Sequence, residues 1–387
     1  MQKEDWYYVD EHEDEDFSVQ EYDITATPND FNVRTIYDFI ESGLVKIPGF
    51  QRNYVWDIKR ASKLIESLII GLPIPQIFLY EESRNSFLVI DGQQRLMSIY
   101  YFKKQRFPKE EKRPAIRKIF EEHGKIPDEF LHNDEYFQNF NLHLASPLPN
   151  SPNKFNKLNY STLGDYQATF DLRTIRNVVI RQNSPTEEAD TSIYEIFNRL
   201  NSGGVNLTPQ EIRVSMYHSK FYQMIDRVNL RPAWRKLLGL TEPDLNAKDL
   251  EIILRAFSML VFSDEYKPSM TKFLNLCSRK FKSFNDEAIA YLESLFDSFL
   301  VACQNLDQRA FRGKQNTRFN ISTFEGVFAA TCMPFFEAKQ LVDLKIDPAK
   351  LDQLKIDVSF SEATQKNTAS SENVKLRRTK AAEILFS

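Results

Sequence analysis

Apolar positions divide the chain into two stretches with different rhythms. From Phe31 to Arg213 short continuous apolar runs are interleaved with helical spacing, whereas beyond Arg213 the spacing is almost wholly three and four residues. Phe31–Ile40 reads as a short helix, and Val45-Lys46-Ile47-Pro48 leads as an extended segment into a loop over Gly49–Trp56. Asp57 is placed to cap a helix in which Ala61, Leu64, Ile65, Leu68 and Ile69 share one face, ending at Gly71 ahead of Pro73 and Pro75. Ile77–Tyr80 and Phe87–Ile90 predict two strands joined by a polar turn, the second running directly into Asp91-Gly92 and another helix. Lys103–Lys125 is charged and reads as a surface insertion, Pro147–Lys157 as a long loop, and Asn177–Arg181 as a strand, followed by a helix carrying Ile193, Ile196, Phe197 and Leu200. Further on, Leu250–Phe262, Met270–Phe281, Glu287–Cys303 and Ser322–Cys332 read as helices, and Asn367–Asn373 as a polar linker to a last basic helix, Leu376–Phe386.

The pattern predicts an α+β protein: an acidic, flexible tail over 1–20, a mixed α/β domain over 21–218 and a mostly helical domain over 219–387. A length of 387 residues, 42% of them hydrophobic, suffices for two cores. Met1–Asp16 sets eight acidic residues against Lys3, so the net charge of −4 leaves the rest of the chain weakly basic. Such an acidic run is more often a solvated tail than a mimic of nucleic acid, and a weakly basic body lacks the strong positive excess of a dedicated nucleic-acid binder. Cys277, Cys303 and Cys332 are too few and too scattered for a disulfide framework or a zinc site. No apolar run approaches the roughly 20 residues of a membrane span. A cytoplasmic protein with no membrane partner is expected; the sequence does not specify its oligomeric state.

Three segments carry candidate chemistry. In Val89-Ile90-Asp91-Gly92-Gln93-Gln94-Arg95-Leu96 an apolar strand delivers a glycine turn at a helix N-terminus, where backbone amides favour an anion. Arg95 would offer its planar fork to a phosphate, Gln93 and Gln94 would add neutral partners, and Asp91 is the candidate ligand of a metal ion. In Phe50-Gln51-Arg52-Asn53-Tyr54-Val55-Trp56 an aromatic ring can stack on a base while Arg52 reaches a phosphate; equally, Phe50, Tyr54 and Trp56 can serve the core. In the third segment Thr208, Pro209 and Glu211 form a capping box. Before that box Gly203-Gly204, flanked by Asn198, Arg199 and Asn201 and followed by Arg213, offers bare backbone to a triphosphate.

Together, and in this order and spacing, these segments resemble the GmrS-like N-terminal domain of GmrSD-type modification-dependent restriction systems, over roughly Tyr22 to Arg213. The resemblance implies a ParB/sulfiredoxin-like fold that binds and hydrolyses a nucleoside triphosphate with Mg2+, in bacterial defence against phage DNA. It implies catalytic roles for Asp91, Gln94 and Arg95, with Asp91 on the metal. It further implies nucleotide contacts from Gly92, Gln93, Gln51 and Arg52, to which the reading of the segments themselves adds Tyr54, Trp56, Asn198, Arg199, Asn201, Gly203, Gly204 and Arg213 as candidate contacts.

One departure matters. Family members that cut DNA usually append a His-Asn-His nuclease domain, in which a histidine activates water beside a metal. The five histidines here are His12, His123, His132, His143 and His218, so Ser219 onward contains none. Cleavage by that chemistry is therefore expected from a partner nuclease chain, with DNA as a further possible partner. The alternative from a different class is a non-catalytic ParB-like module whose arginines contact DNA phosphates or a protein; a self-contained nuclease with an unrecognised site is a third reading.

Overall fold

The computed structural model describes residues 6–8, 23–47, 54–113, 115–116, 119, 125–146, 152–183, 195–197, 199–200, 208–244, 246–312 and 318–386. The chain is α+β and divides into two compact units, 21–207 and 1–20 with 208–387. The first strand, β1 (Tyr7–Tyr8), belongs to the helical unit.

In the unit spanning 21–207 a five-stranded mixed sheet runs in the order β2 (Ile24–Asn32), β8 (Thr174–Gln182), β4 (Ile77–Ser83), β5 (Ser86–Asp91), β3 (Val45–Lys46). β2 pairs antiparallel with β8, β8 parallel with β4, β4 antiparallel with β5, and β5 parallel with β3. Sequence pattern found β4, β5 and the middle of β8 but not β2, whose Thr-Ala-Thr-Pro-Asn run is polar and largely exposed. β2 is an edge strand, where a proline is tolerated and one face needs no apolar residues. It takes in Phe31, so the helix expected from that residue starts later: α1 is Val33–Glu41, capped by Asn32, whose side chain accepts from the Thr35 amide at 2.7 Å.

α2 (Ile58–Ile70) is capped by Asp57 and stopped at Gly71 as its sequence predicts. α3 (Gln93–Lys103) follows β5 with only Gly92 between and is apolar all round: Leu96 through Phe102 are buried. These helices share one core with the sheet, in which Ile36, Ile65 and Leu96 join Leu79, Val89 and Val179.

The start of the charged stretch after α3 is packed rather than surface-facing. Arg106–Pro108 (β6) pairs antiparallel with Phe137–Asn139 (β7), and Phe107, Phe137 and Phe140 enter the same core. Lys103 itself is mostly buried, bonded to Asp171 at 2.9 Å and lying 4.8 Å over the rings of Tyr37 and Tyr160. A cation at this helix C-terminus is favoured by the dipole and lays its alkyl stem on aromatic faces. The unit also contains two short helices, α4 (Asp128–Leu131) and α5 (Tyr166–Leu172).

The other unit is built from α6 (Pro209–Met216), α7 (Lys220–Asn229), α8 (Pro232–Leu238), α9 (Lys248–Val261), α10 (Met270–Phe281), α11 (Asp286–Ala302), α12 (Ile321–Glu337), α13 (Pro348–Ile356), α14 (Val358–Ala363) and α15 (Ser371–Leu385). Its centre is aromatic: Trp234 is fully buried against Phe296 and Phe324. Buried charges are paired inside it. Glu325 accepts from Arg255 on one carboxylate oxygen and from Arg377 on the other, at 3.0 and 2.9 Å.

Two expectations change here. Trp6–Tyr8 is fixed rather than free, because β1 pairs in parallel with β9 (Phe319–Asn320) and the Tyr8 hydroxyl donates to the Gln365 carbonyl at 2.8 Å. The supposed linker 367–373 is packed: Thr368 and Ala369 are buried, and α15 already begins at Ser371, capped by Ser370. The polar side chains there serve the helix start, which composition alone reads as a linker. Among the described residues no helix is long and apolar enough to cross a membrane.

Candidate functional site

The Asp91–Arg95 turn is dictated by its surroundings. Gly92 has φ 102° and ψ 6°, and an added Cβ would lie 2.4 Å from Ile77 Cγ2. Only glycine lets β5 turn into α3 this close to β4. Gly92 is also the N-cap of α3 and, having no side chain, contributes no capping oxygen of its own to the positive end of the helix dipole.

Arg95 sits in the first turn with its side chain 13% exposed. Its Nη2 donates to Asp91 Oδ2 at 2.8 Å and to the Gln76 carbonyl at 3.3 Å. The guanidinium is thereby hinged on one edge, and its Nε and Nη1 make no hydrogen bond among the described residues. Asp91 remains 40% exposed and presents its other carboxylate oxygen beside the turn.

Gln94 has a different task. Its Oε1 accepts from the Val55 amide at 2.9 Å and from the Trp56 amide at 3.4 Å, which ties the aromatic segment to the start of α3. One turn on, Ser98 Oγ lies 2.8 Å from the Tyr54 hydroxyl. Arg113, which sequence reasoning passed over as part of a charged stretch, donates to the Trp56 carbonyl at 2.9 Å and lies 5.4 Å from the Tyr54 ring centre. No local signal marks Arg113, because its partners are nearly sixty residues away in sequence.

Tyr54 is a core residue rather than a free stacking surface. It is buried edge-on against Tyr101 and Phe107, and burial pushes its hydroxyl pKa well up, against smaller opposing effects of Ser98 and Arg113. Trp56 is half-buried, with Arg60 4.7 Å over its ring.

Two of the three segments thus meet: Tyr54–Trp56 lies on the first two turns of the helix that the Asp91–Arg95 turn begins. Gln51, Arg52, Asn198, Asn201, Gly203 and Gly204 lie outside the described residues. Arg199 is exposed and bonded to Glu195 at 2.6 Å, a pair one helical turn apart.

Arg213 corrects an expectation. It is buried within the helical unit, donating to Asn275 at 2.9 Å, Gln210 at 2.6 Å and Glu251 at 3.1 Å. Its fork is used to neutralise a buried carboxylate, so we read it as a structural residue rather than a nucleotide contact. Burial would raise the pKa of Glu251, but Lys248 and Arg213 overcome it and hold the carboxyl down at about 2. The Thr208 capping box forms as its sequence predicts.

Among the described residues no group of three or more His, Cys, Asp or Glu side chains is placed to hold a metal. Among the described residues, what the turn offers an ion is the carboxylate of Asp91. That fits Mg2+ in the mode where substrate phosphates and water supply most of its oxygens.

Fold and turn define an α+β domain with an anion-favouring strand–glycine–helix junction. Residues 33–218 match the family described as GmrSD restriction endonuclease, N-terminal domain, and the chain carries a domain of that family. The match begins at the first residue of α1 and marks the chain as a component of a restriction system. No curated relative and no solved structure matches the chain.

Proposed function

We propose that this component binds and hydrolyses a nucleoside triphosphate at the Asp91–Arg95 turn and relays the result to a partner nuclease chain acting on DNA. The observation that carries the proposal is the glycine turn at Gly92, which starts α3 directly from β5, with Arg95 hinged on Asp91 beside it. Backbone amides and dipole favour a phosphate there, and the guanidinium nitrogens not engaged by Asp91 or Gln76 can complete its coordination.

Each residue then has a definable part. Arg95 neutralises charge on the phosphates, and its ion pair with Asp91 fixes the direction of the fork. Asp91 would be the protein ligand of Mg2+, which when bound neutralises charge between phosphoryl oxygens. Gln94 positions the Tyr54–Trp56 segment, its side-chain oxygen being taken by those amides. A base would be met by Trp56 rather than Tyr54, since Tyr54 is enclosed in the core. Gln51 and Arg52 lie just before this segment in the sequence and remain proposed contacts.

Phosphate release from each of the four ribonucleoside triphosphates with Mg2+, with and without DNA, separates the possibilities. Activity in the native chain that is lost in Arg95→Ala supports the proposal. Neither binding nor turnover by the native chain overturns it, and steeply salt-dependent DNA binding in that case establishes the non-catalytic module instead.

A further inference from the structure

The helical unit holds a groove of about 570 Å3 between α12, α15 and the turn at Ser263–Tyr266. Its volume falls within the roughly 300–1,000 Å3 of small-molecule sites. The groove arises from side-chain size. α12 and α15 approach closely at Gly326, where an added Cβ would come within 3.3 Å of Arg377 Cβ. Farther along the same helix Ala329 and Ala330 are too small to fill the space left beside α15. Met333 and Val374 make the walls apolar, and Pro334, which has no N–H, cannot donate to the carbonyl of Ala330.

Two adjacent arginines on α15 are treated in opposite ways. Arg377 is fully buried and spent on the protein: it donates to Glu325 and to the carbonyls of Ala363 and Thr368. Arg378 lines the groove, partly buried, and makes no hydrogen bond or ion pair among the described residues. Glu325 makes no hydrogen bond to it; its two carboxylate oxygens are engaged by Arg255 and Arg377. Asp264, exposed at the rim, attracts it only at a distance. Burial of this guanidinium outweighs both acids and lowers its pKa from the usual arginine value. A cation desolvated without a partner is unfavourable, and an incoming anion would relieve that cost. Lys375 adds a second positive charge at the opening.

We propose that this groove binds a small organic anion, whose carboxylate or phosphate pairs with Arg378 while its apolar body lies along Ala330, Met333 and Val374. This site is independent of the nucleotide proposed for the Asp91–Arg95 turn and is built from other residues. An apolar wall with a single unpartnered guanidinium selects for a molecule that has both features, so neither inorganic phosphate nor a neutral alcohol of the same length should suffice.

Calorimetric titration of the full chain with hexyl phosphate, hexanoate, inorganic phosphate and hexanol tests this. Hexyl phosphate or hexanoate should bind at least about tenfold more tightly than either control, and Arg378→Gln should weaken that binding by about tenfold or more. Ala382→Trp, at an exposed position lining the groove, should block it without touching the charge. Arg378→Lys keeps the charge and serves if the glutamine variant does not fold; losing the fork should still weaken binding. Absence of binding by both amphipathic anions, equal binding by the controls, or unchanged affinity in the folded variants would each overturn the proposal.

Discussion

Replacing Gly92 with alanine puts the geometry of the strand–helix junction to a quantitative test. At φ 102° an alanine carries about 1–3 kcal/mol of backbone strain. Its Cβ would also meet Ile77 Cγ2 at 2.4 Å and Ile77 Cβ at 3.0 Å, and Ile77 is fully buried, so relieving the overlap adds another ~1–3 kcal/mol. The combined loss is expected to be about 4 kcal/mol, which is roughly a thousandfold in a local opening equilibrium. Because the chain has two compact units, a global melt would blur the effect. Hydrogen exchange read by mass spectrometry on peptides covering β5 and the start of α3 reports it where it occurs. In an Ile77→Ala background the 2.4 Å overlap with Cγ2 disappears while the tight Cβ contact at 3.0 Å remains, and Gly92→Ala should then cost about 2–3 kcal/mol, most of it backbone strain. Exchange in β5 and α3 that changes less than about threefold in the single variant would refute the claim that Ile77 and the positive φ together demand glycine.

Further outcomes follow from the same contacts. Gln94→Ala removes the acceptor for the Val55 and Trp56 amides and should cost about 1–2 kcal/mol, seen as faster exchange of the 54–56 segment with α3 itself still protected; equal acceleration throughout α3 would argue against a tether. Arg213→Ala removes a buried hydrogen-bonded cation from Glu251, leaving it Lys248 and the nearby charge of Arg255, and should destabilise the helical unit by about 3 kcal/mol in urea denaturation, a loss that a surface nucleotide contact would not produce. Since the Glu251 carboxyl is held below its ordinary value, near 2, its contribution is fully present above about pH 4.5 and is lost as pH falls toward 2. Native protein should therefore lose more stability than Glu251→Gln across that window, and parallel curves would count against the buried pair. Burial raises the pKa of Cys277 to about 12 and pushes those of Cys303 and Cys332 up as well, so none should react with iodoacetamide at pH 8 until the chain is unfolded; labelling of the native chain would show that the helical core opens.

Much of this protein is legible in one dimension wherever a local rule is sufficient. The Asp57 and Thr208 caps, the strand at Ser86–Asp91 and the helices of the second half follow from spacing and from side chains three residues apart, interactions complete within one turn or one strand. The glycine turn before Arg95 was equally readable, because a strand that ends in Asp-Gly before a helical run has few alternatives. Tertiary structure decided what each polar group is for. Arg95, Gln94, Arg113 and Arg213 look alike as polar residues near motifs, yet one is hinged on Asp91 at a glycine turn, two hold an aromatic segment, and the last neutralises a carboxylate inside a helical core. The edge strand β2, the buried Lys103 and the contrast between Arg377, bound to Glu325, and Arg378, with no ion pair among the described residues, were equally invisible, since each depends on neighbours distant in sequence. A charged or polar side chain takes its role from whichever donors and acceptors surround it once water has been removed, and folding alone determines which those are.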